Sequence, residues 1–168
     1  VRAPADADEP LAVLLLPGRL EGLELEAHAR DLLSIPRVVA LEPPRIRPAR
    51  ALRDAVSLRQ ARRLRFPGRP QLLLLYHPAQ YPLARALCAR HEDLELWYIP
   101  PGRAALETAD QAHADELLAL DELARERATQ VLTAAGGIVD SGLLRARLRE
   151  LDVINPHAFI PGARPRPR

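Results

Sequence analysis

The chain has 168 residues, 48% hydrophobic and 27% charged, and its 24 Lys+Arg against 22 Asp+Glu leave a formal charge of +2. That apolar content is close to the globular average and excludes a disordered chain, which could not bury enough surface to offset the entropy of ordering. The length fits one domain with one sizeable core, and with aromatics at only 4% that core must be filled by Leu, Ala and Val.

Leu11 to Leu16 is an apolar run closed by Pro17-Gly18 and predicts a buried strand ending in a turn. Leu25, Ala29, Leu32 and Leu33 then fall on one helical stripe. Ser34-Ile35-Pro36 stops that helix, because the residue before a proline is pushed out of the helical region. Val38 to Leu41 is a second strand, ended by Glu42-Pro43-Pro44. Pro48 to Arg65 has helical composition without one clean stripe, and Leu72 to Tyr76 is a third strand framed by Pro70 and Pro78. Pro82 suits the first turn of a helix whose buried stripe is Leu83, Ala86 and Leu87. Leu94 to Ile99 is a fourth strand, cut off by Pro100-Pro101-Gly102. The longest helix follows, with Leu106, Ala109, His113, Leu117, Leu120 and Ala124 on one line, and Gln130 to Thr133 is a short fifth strand. Asp140 or Ser141 can cap the last helix, whose stripe is Leu144, Leu148 and Leu151.

Strands that are apolar almost throughout must be covered on both faces. Alternating five times with helices, they predict an α/β domain: a doubly wound, mostly parallel sheet of five or six strands with helices on both faces, Rossmann-like. The expected organisation is a flexible tail over 1–10, the domain over 11–154, and an irregular end or linker over 155–168.

In such sheets ligands bind beyond the carboxyl ends of the strands, where strand order reverses. That singles out the loops 17–22, 77–81, 100–103 and 134–137. They hold no G-x-G-x-x-G dinucleotide fingerprint, and a chain without lysine cannot form a Walker A loop. No serine lies in G-x-S-x-G, and the five histidines show no metal-ligand spacing, so neither a metal nor a bound cofactor is expected. His77 stands out, since it directly follows an apolar strand between Tyr76 and Pro78. A histidine there can act as a base or donate to a sugar hydroxyl or phosphate. Gly18, Gly22, Gly136 and Gly137 would let backbone amides approach a phosphate. His113 reads as a satisfied core or boundary residue, Trp97-Tyr98 as packing and Cys88 as inert.

Arg45, Arg47, Arg50, Arg53, Arg59, Arg62, Arg63, Arg65 and Arg69 share residues 45–69 with a single acid, Asp54. This stretch fits an anionic membrane surface or a solvated face. Nucleic acid is disfavoured, because no nucleic-acid-binding motif accompanies it and the net charge is only +2. One cysteine permits no internal disulfide, which points to a reducing, cytoplasmic compartment, with peripheral contact at the inner membrane face through 45–69. The chain has no methionine, so Val1 reads as a processed end or a cut within a longer chain.

The segment Arg69-Pro-Gln-Leu-Leu-Leu-Leu-Tyr-His77-Pro, followed by a helix and Leu94-Glu-Leu-Trp-Tyr98, resembles the amino-terminal half of GT-B-fold glycosyltransferases that use nucleotide sugars (glycosyltransferase group 1, family 4-like). The long acidic helix, the Leu143 to Leu151 helix and the bridge-like Asn155-Pro156-His157 extend the likeness from Leu11 to about Pro161. It departs where Ala134 replaces a serine, where Tyr98-Ile99-Pro100 replaces a His-Asp pair, and at Ala158-Phe159 in the bridge. The resemblance implies an acceptor-binding domain that meets nucleotide sugar and acceptor through a second, donor-binding domain and is inactive without it. It implies His77 as the catalytic residue. The substrate contacts expected with it are Gly18, Arg19, Gly22, Tyr76, Gln80, Tyr81, Arg103, Gly136 and Gly137. The alternative is a non-catalytic Rossmann-like module for interaction or regulation.

Overall fold

In a computed structural model the described residues are 8–18, 25–43, 52–102, 106, 110–135, 138–139 and 141–154. Five strands form one sheet: β1 (Pro10–Leu15), β2 (Val38–Leu41), β3 (Arg69–Leu75), β4 (Glu95–Tyr98) and β5 (Gln130–Val131). Their order is β2-β1-β3-β4-β5, and every pair is parallel. The helices are α1 (Glu26–Leu33), α2 (Arg53–Arg63), α3 (Tyr81–Arg90), α4 (Gln111–Arg127) and α5 (Ser141–Glu150). The fold is thus the expected Rossmann-like α/β one. None of the helices among the described residues is long and apolar enough to cross a membrane.

Side-chain alternation assigns the strands' residues to two layers. Ala12, Leu14, Leu16, Leu72, Leu74, Tyr76 and Trp97 face one layer with Ala29 and Leu32 of α1 and Leu144 and Leu148 of α5. Leu11, Val13, Leu15, Leu73, Leu75, Leu96 and Tyr98 face the other, with Ala61 of α2, Tyr81, Leu83, Ala84 and Leu87 of α3, and Ala124 of α4. The sheet is therefore covered on both sides, which its leucine runs demand.

Several bounds differ from expectation. β1 takes in Pro10, and the Glu9 carbonyl accepts from the Arg69 amide at 2.8 Å, so the strand begins within the expected tail. β3 starts three residues before its apolar run, because Arg69 and Pro70 pair with Pro10 and Leu11 through the backbone. The register shifts between Leu11 and Ala12, leaving Gln71 as the extra residue opposite them. Pro70 has no amide hydrogen to donate, and an irregularity there is where a sheet tolerates one. α4 is capped by Asp110, whose carboxylate accepts from the Ala112 amide at 3.1 Å. A two-residue antiparallel pair, β6 (Ala134–Ala135) with β7 (Ile138–Val139), lies between β5 and α5 and was not expected. The expected helical residues Pro48 to Ala51 and 107–109, the cap Asp140, and the ends 1–7 and 155–168 lie outside the described residues.

Two backbone positions carry opposite-signed tests. A Cβ on Gly68 would collide with the Glu9 carbonyl oxygen and stand 2.9 Å from Leu11 Cδ2. Gly68→Ala should therefore lower stability by about 1–3 kcal/mol, the usual cost of overpacking, read from the urea midpoint. Asp152, just past α5, is held at φ 55°, a left-handed conformation that only glycine adopts without cost. Asp152→Gly should raise stability, by up to about 1 kcal/mol in the same assay.

Candidate functional site

The connection from β1 leaves toward the α1 layer and the connection from β3 toward the α3 layer. The order β2-β1-β3 therefore reverses direction between β1 and β3, which is where this topology places ligands. Two segments meet there: Leu16-Pro17-Gly18 after β1, and Tyr76 to Gln80 after β3.

The second segment is shaped by its own residues. His77 is extended (φ −148°, ψ 133°), and its Nδ1 accepts the Ala79 amide at 3.2 Å, capping the short 3-10 turn Pro78–Gln80. Pro78 fits the first position of that turn because it has no amide hydrogen to leave unsatisfied. The turn closes with the Gln80 amide donating to the His77 carbonyl at 3.1 Å. α3 follows at once, with Pro82 in its first turn. α4 packs against the 3-10 turn from outside.

Gln80 laces the two segments together: its Nε2 donates to the Leu16 carbonyl across the switch point. Its Oε1 is buried without a partner among the described residues. The Leu16 amide donates to the Leu41 carbonyl at 3.0 Å and the Ile99 amide to the Leu75 carbonyl at 2.9 Å, so the ladders run on by one residue beneath the loops.

The His77 cap has a chemical consequence. An Nδ1 that accepts an amide proton carries none itself, so the proton of the neutral ring sits on Nε2. That presents a hydrogen-bond donor rather than a base. Among the described residues directly after β1 (16–18), β3 (76–80) and β4 (99–102) the ionisable side chains are His77 and the buried Tyr76, while Asp110, farther along the connection from β4, caps α4.

The two aromatic neighbours of His77 turn into opposite layers. Tyr76 is 2% exposed in the α1–α5 layer, and its hydroxyl lies 3.2 Å from Nδ1 of His28. Burial pushes that phenol well above its ordinary range. Tyr81 is 5% exposed in the other layer, and its phenol is also raised, by burial first, with Arg85 and Arg127 opposing. Both candidate contact residues thus lie in the core, beside the switch point rather than open to it. Gly18 ends the described part of the first loop, while Arg19, Gly22, Arg103, Gly136 and Gly137 lie outside the described residues.

His28 is a neighbour that motif reasoning passed over. It stands in α1 between Leu25 and Ala29, at the border of the buried stripe, and that spacing was the available signal. Its Nε2 is buried without a partner among the described residues. Burial lowers its pKa below the ordinary 6.5, Arg145 adds to this, and Asp31 opposes it.

Other residues weighed from sequence serve packing. Trp97 and Tyr98 are 4% and 0% exposed. The Trp97 indole donates to Glu95 at 3.3 Å, and the Tyr98 hydroxyl donates to Asp121 at 2.6 Å. Cys88 is half-buried, and burial pushes its thiol up to about 11, away from the reactive thiolate. His113 is half-exposed with Nδ1 3.8 Å from Glu116. Among the described residues no three His, Cys, Asp or Glu side chains gather as a metal site would require. Comparison with protein-family models, with curated proteins and with solved structures returns no match for the chain.

Because the folded pKa of His28 lies below 6.5, the unfolded chain takes up this proton first on acidification. His91 is lowered as well, by burial first and then Arg90, and acts with the same sign. Their contribution to stability is full above pH 6.5 and is lost as the pH falls below it. The urea midpoint should drop between about pH 7.5 and about pH 5.5, and His28→Gln, which keeps a partner for Tyr76, should shrink that drop.

Proposed function

We propose that the chain binds a hydroxylated, sugar-like acceptor at the switch point between β1 and β3, as the acceptor-side half of a nucleotide-sugar-dependent glycosyltransferase. The observation that carries this reading is the His77–Gln80 turn: a fixed imidazole donor on a segment stitched by Gln80 to the end of β1. Sugar recognition uses such rigid donors and acceptors more than charge, and pre-organising them reduces what binding must spend on ordering. The donor sugar and its diphosphate are then held by a second domain, and transfer takes place only when the two meet.

The burial of Tyr76 and Tyr81, two of the expected substrate contacts, supports a second reading, a non-catalytic interaction or regulatory module. Supplying a competent donor-binding domain separates the two. Sugar transfer that appears with it and falls in His77→Ala favours the first; no transfer with any acceptor favours the second.

Binding itself is read by amide shifts on titration with sugar acceptors. Resonances of 16–18 and 76–80 should move, and His77→Ala should weaken the interaction roughly threefold to tenfold, the worth of one neutral hydrogen bond. Gln80→Leu should weaken it by a similar factor by freeing the two segments from each other. If no acceptor perturbs either segment, the acceptor reading is wrong.

A further inference from the structure

The arginine-rich stretch divides once its partners are placed. Arg53 pairs with Glu116 of α4, and Asp54, the only acid of α2, pairs with Arg85 of α3 at 2.9 Å. The Arg65 guanidinium donates to the carbonyls of Arg62 and Leu64, at 2.8 and 3.2 Å. Arg59, Arg62 and Arg63 are exposed and make no ion pair among the described residues.

α2 buries Ser57 and Ala61 against the sheet. At 100° per residue Leu52, just before the helix, and Ala55, Arg59, Arg62 and Arg63 lie within about 60° of the direction opposite those two, and Leu58 flanks that side, about 80° from the buried pair's midpoint. All six are exposed, Leu52 at 58% and Leu58 at 44%. Leu52 and Leu58 are two of the five large hydrophobic side chains exposed among the described residues. Two exposed leucines beside guanidiniums that make no ion pair among the described residues gain nothing from water and much from an interface of apolar and anionic groups.

We propose that the outward face of α2 docks on an anionic lipid surface, with Leu52 and Leu58 entering the headgroup region and Arg59, Arg62 and Arg63 meeting lipid phosphates. Nucleic acid would match the charge but not the leucines, since phosphate-backbone contacts leave apolar side chains in water. Arg45, Arg47 and Arg50 precede the helix in sequence and add charge of the same sign. The parallel crossover from β2 to β3 runs α2 back along the sheet, so its first turn lies at the carboxyl edge. That is the edge of the switch point, so docking would hold the site close to the lipid headgroups.

Flotation of the full chain with vesicles tests this. It should rise with vesicles of phosphatidylcholine plus phosphatidylglycerol, not with phosphatidylcholine alone, and high salt should reduce it. Replacing Arg59, Arg62 and Arg63 together by Gln should lower the association constant roughly a hundredfold, about fivefold per arginine. Leu52→Gln with Leu58→Gln should lower it at least tenfold with all charges kept, which a purely electrostatic contact would not show. All five side chains are exposed, so circular dichroism and urea midpoints should match the parent chain. Equal binding to both vesicle types, unchanged binding in the arginine variant, or tighter binding to a DNA or RNA oligonucleotide than to anionic vesicles would overturn the proposal.

Discussion

The structure rests on the pairing register of β3 with β1. Leu72, Leu73, Leu74 and Leu75 are each no more than 1% exposed, and they point alternately into two separate helical layers. Burying a leucine fully is worth about 1.5–3 kcal/mol, so these four contribute a large part of what holds the described helices onto the sheet. Alternation makes the register unforgiving: a slip of one residue exchanges the layers for every side chain at once. The register is set at the amino end, where Gly68 lets the chain pass against the Glu9 carbonyl and the Arg69 amide locks onto it. It then absorbs Gln71 as one extra residue beside Pro70 before the leucines begin. With the register fixed there, β1 and β3 deliver Leu16 and Tyr76 side by side, and Gln80 can reach across.

Polar groups at the ends of the strands tie the layers to the sheet. Tyr98 ends β4 and donates to Asp121 of α4, which also accepts from Arg125 at 2.7 Å. The Arg125 guanidinium lies 6.0 Å from the Tyr98 ring centre, over its face. A buried carboxylate is costly alone but tolerable with two charge-assisted or hydroxyl donors, and this one fixes the helix that packs on the 3-10 turn at 78–80. On the opposite face Glu95 accepts from Trp97 and Arg147, joining β4 to α5. The His77–Gln80 segment is thus held by its own cap and turn bonds and backed by a helix that is itself tied to the sheet.

Much of this was legible in the amino-acid order, for a definite reason. Strands buried on both faces must be apolar runs, and helices over them must carry stripes, so β1 to β4, α1, α3 and α5 announce themselves. What escaped has equally physical grounds. Arg69 to Gln71 extend β3 by backbone bonding, which leaves no mark in side-chain hydropathy. Ala134-Ala135 and Ile138-Val139 are too short for alternation to register, although Gly136-Gly137 between them is a common hairpin connection. His77 was visible because it follows directly on an apolar run. The bond from Gln80 to Leu16 spans 64 residues and has no local signature. Tyr76 was readable after all: it continues the even positions Leu72 and Leu74, and parity sends it to the core.

The charge distribution connects the fold to its surface. A net charge of +2 over 24 cations says only that signs balance in total. The fold decides where they balance. Arg37 meets Glu9, Arg145 meets Asp31, Arg147 meets Glu95 and Glu150, and Arg125 meets Asp121, each joining or bracing elements that pack on the sheet. α2 keeps its one acid in its first turn, where the helix dipole favours a negative charge, and there Asp54 is already shared with Arg85. Arg62 and Arg63 in the last turn offset the opposite end of that dipole, a reason for cations there that needs no partner. The dipole falls off within one turn, however, and accounts neither for Arg59 farther back nor for leucines left in water at positions 52 and 58. Those two leucines and the guanidiniums of Arg59, Arg62 and Arg63, which make no ion pair among the described residues, are the features on which the proposed lipid contact rests.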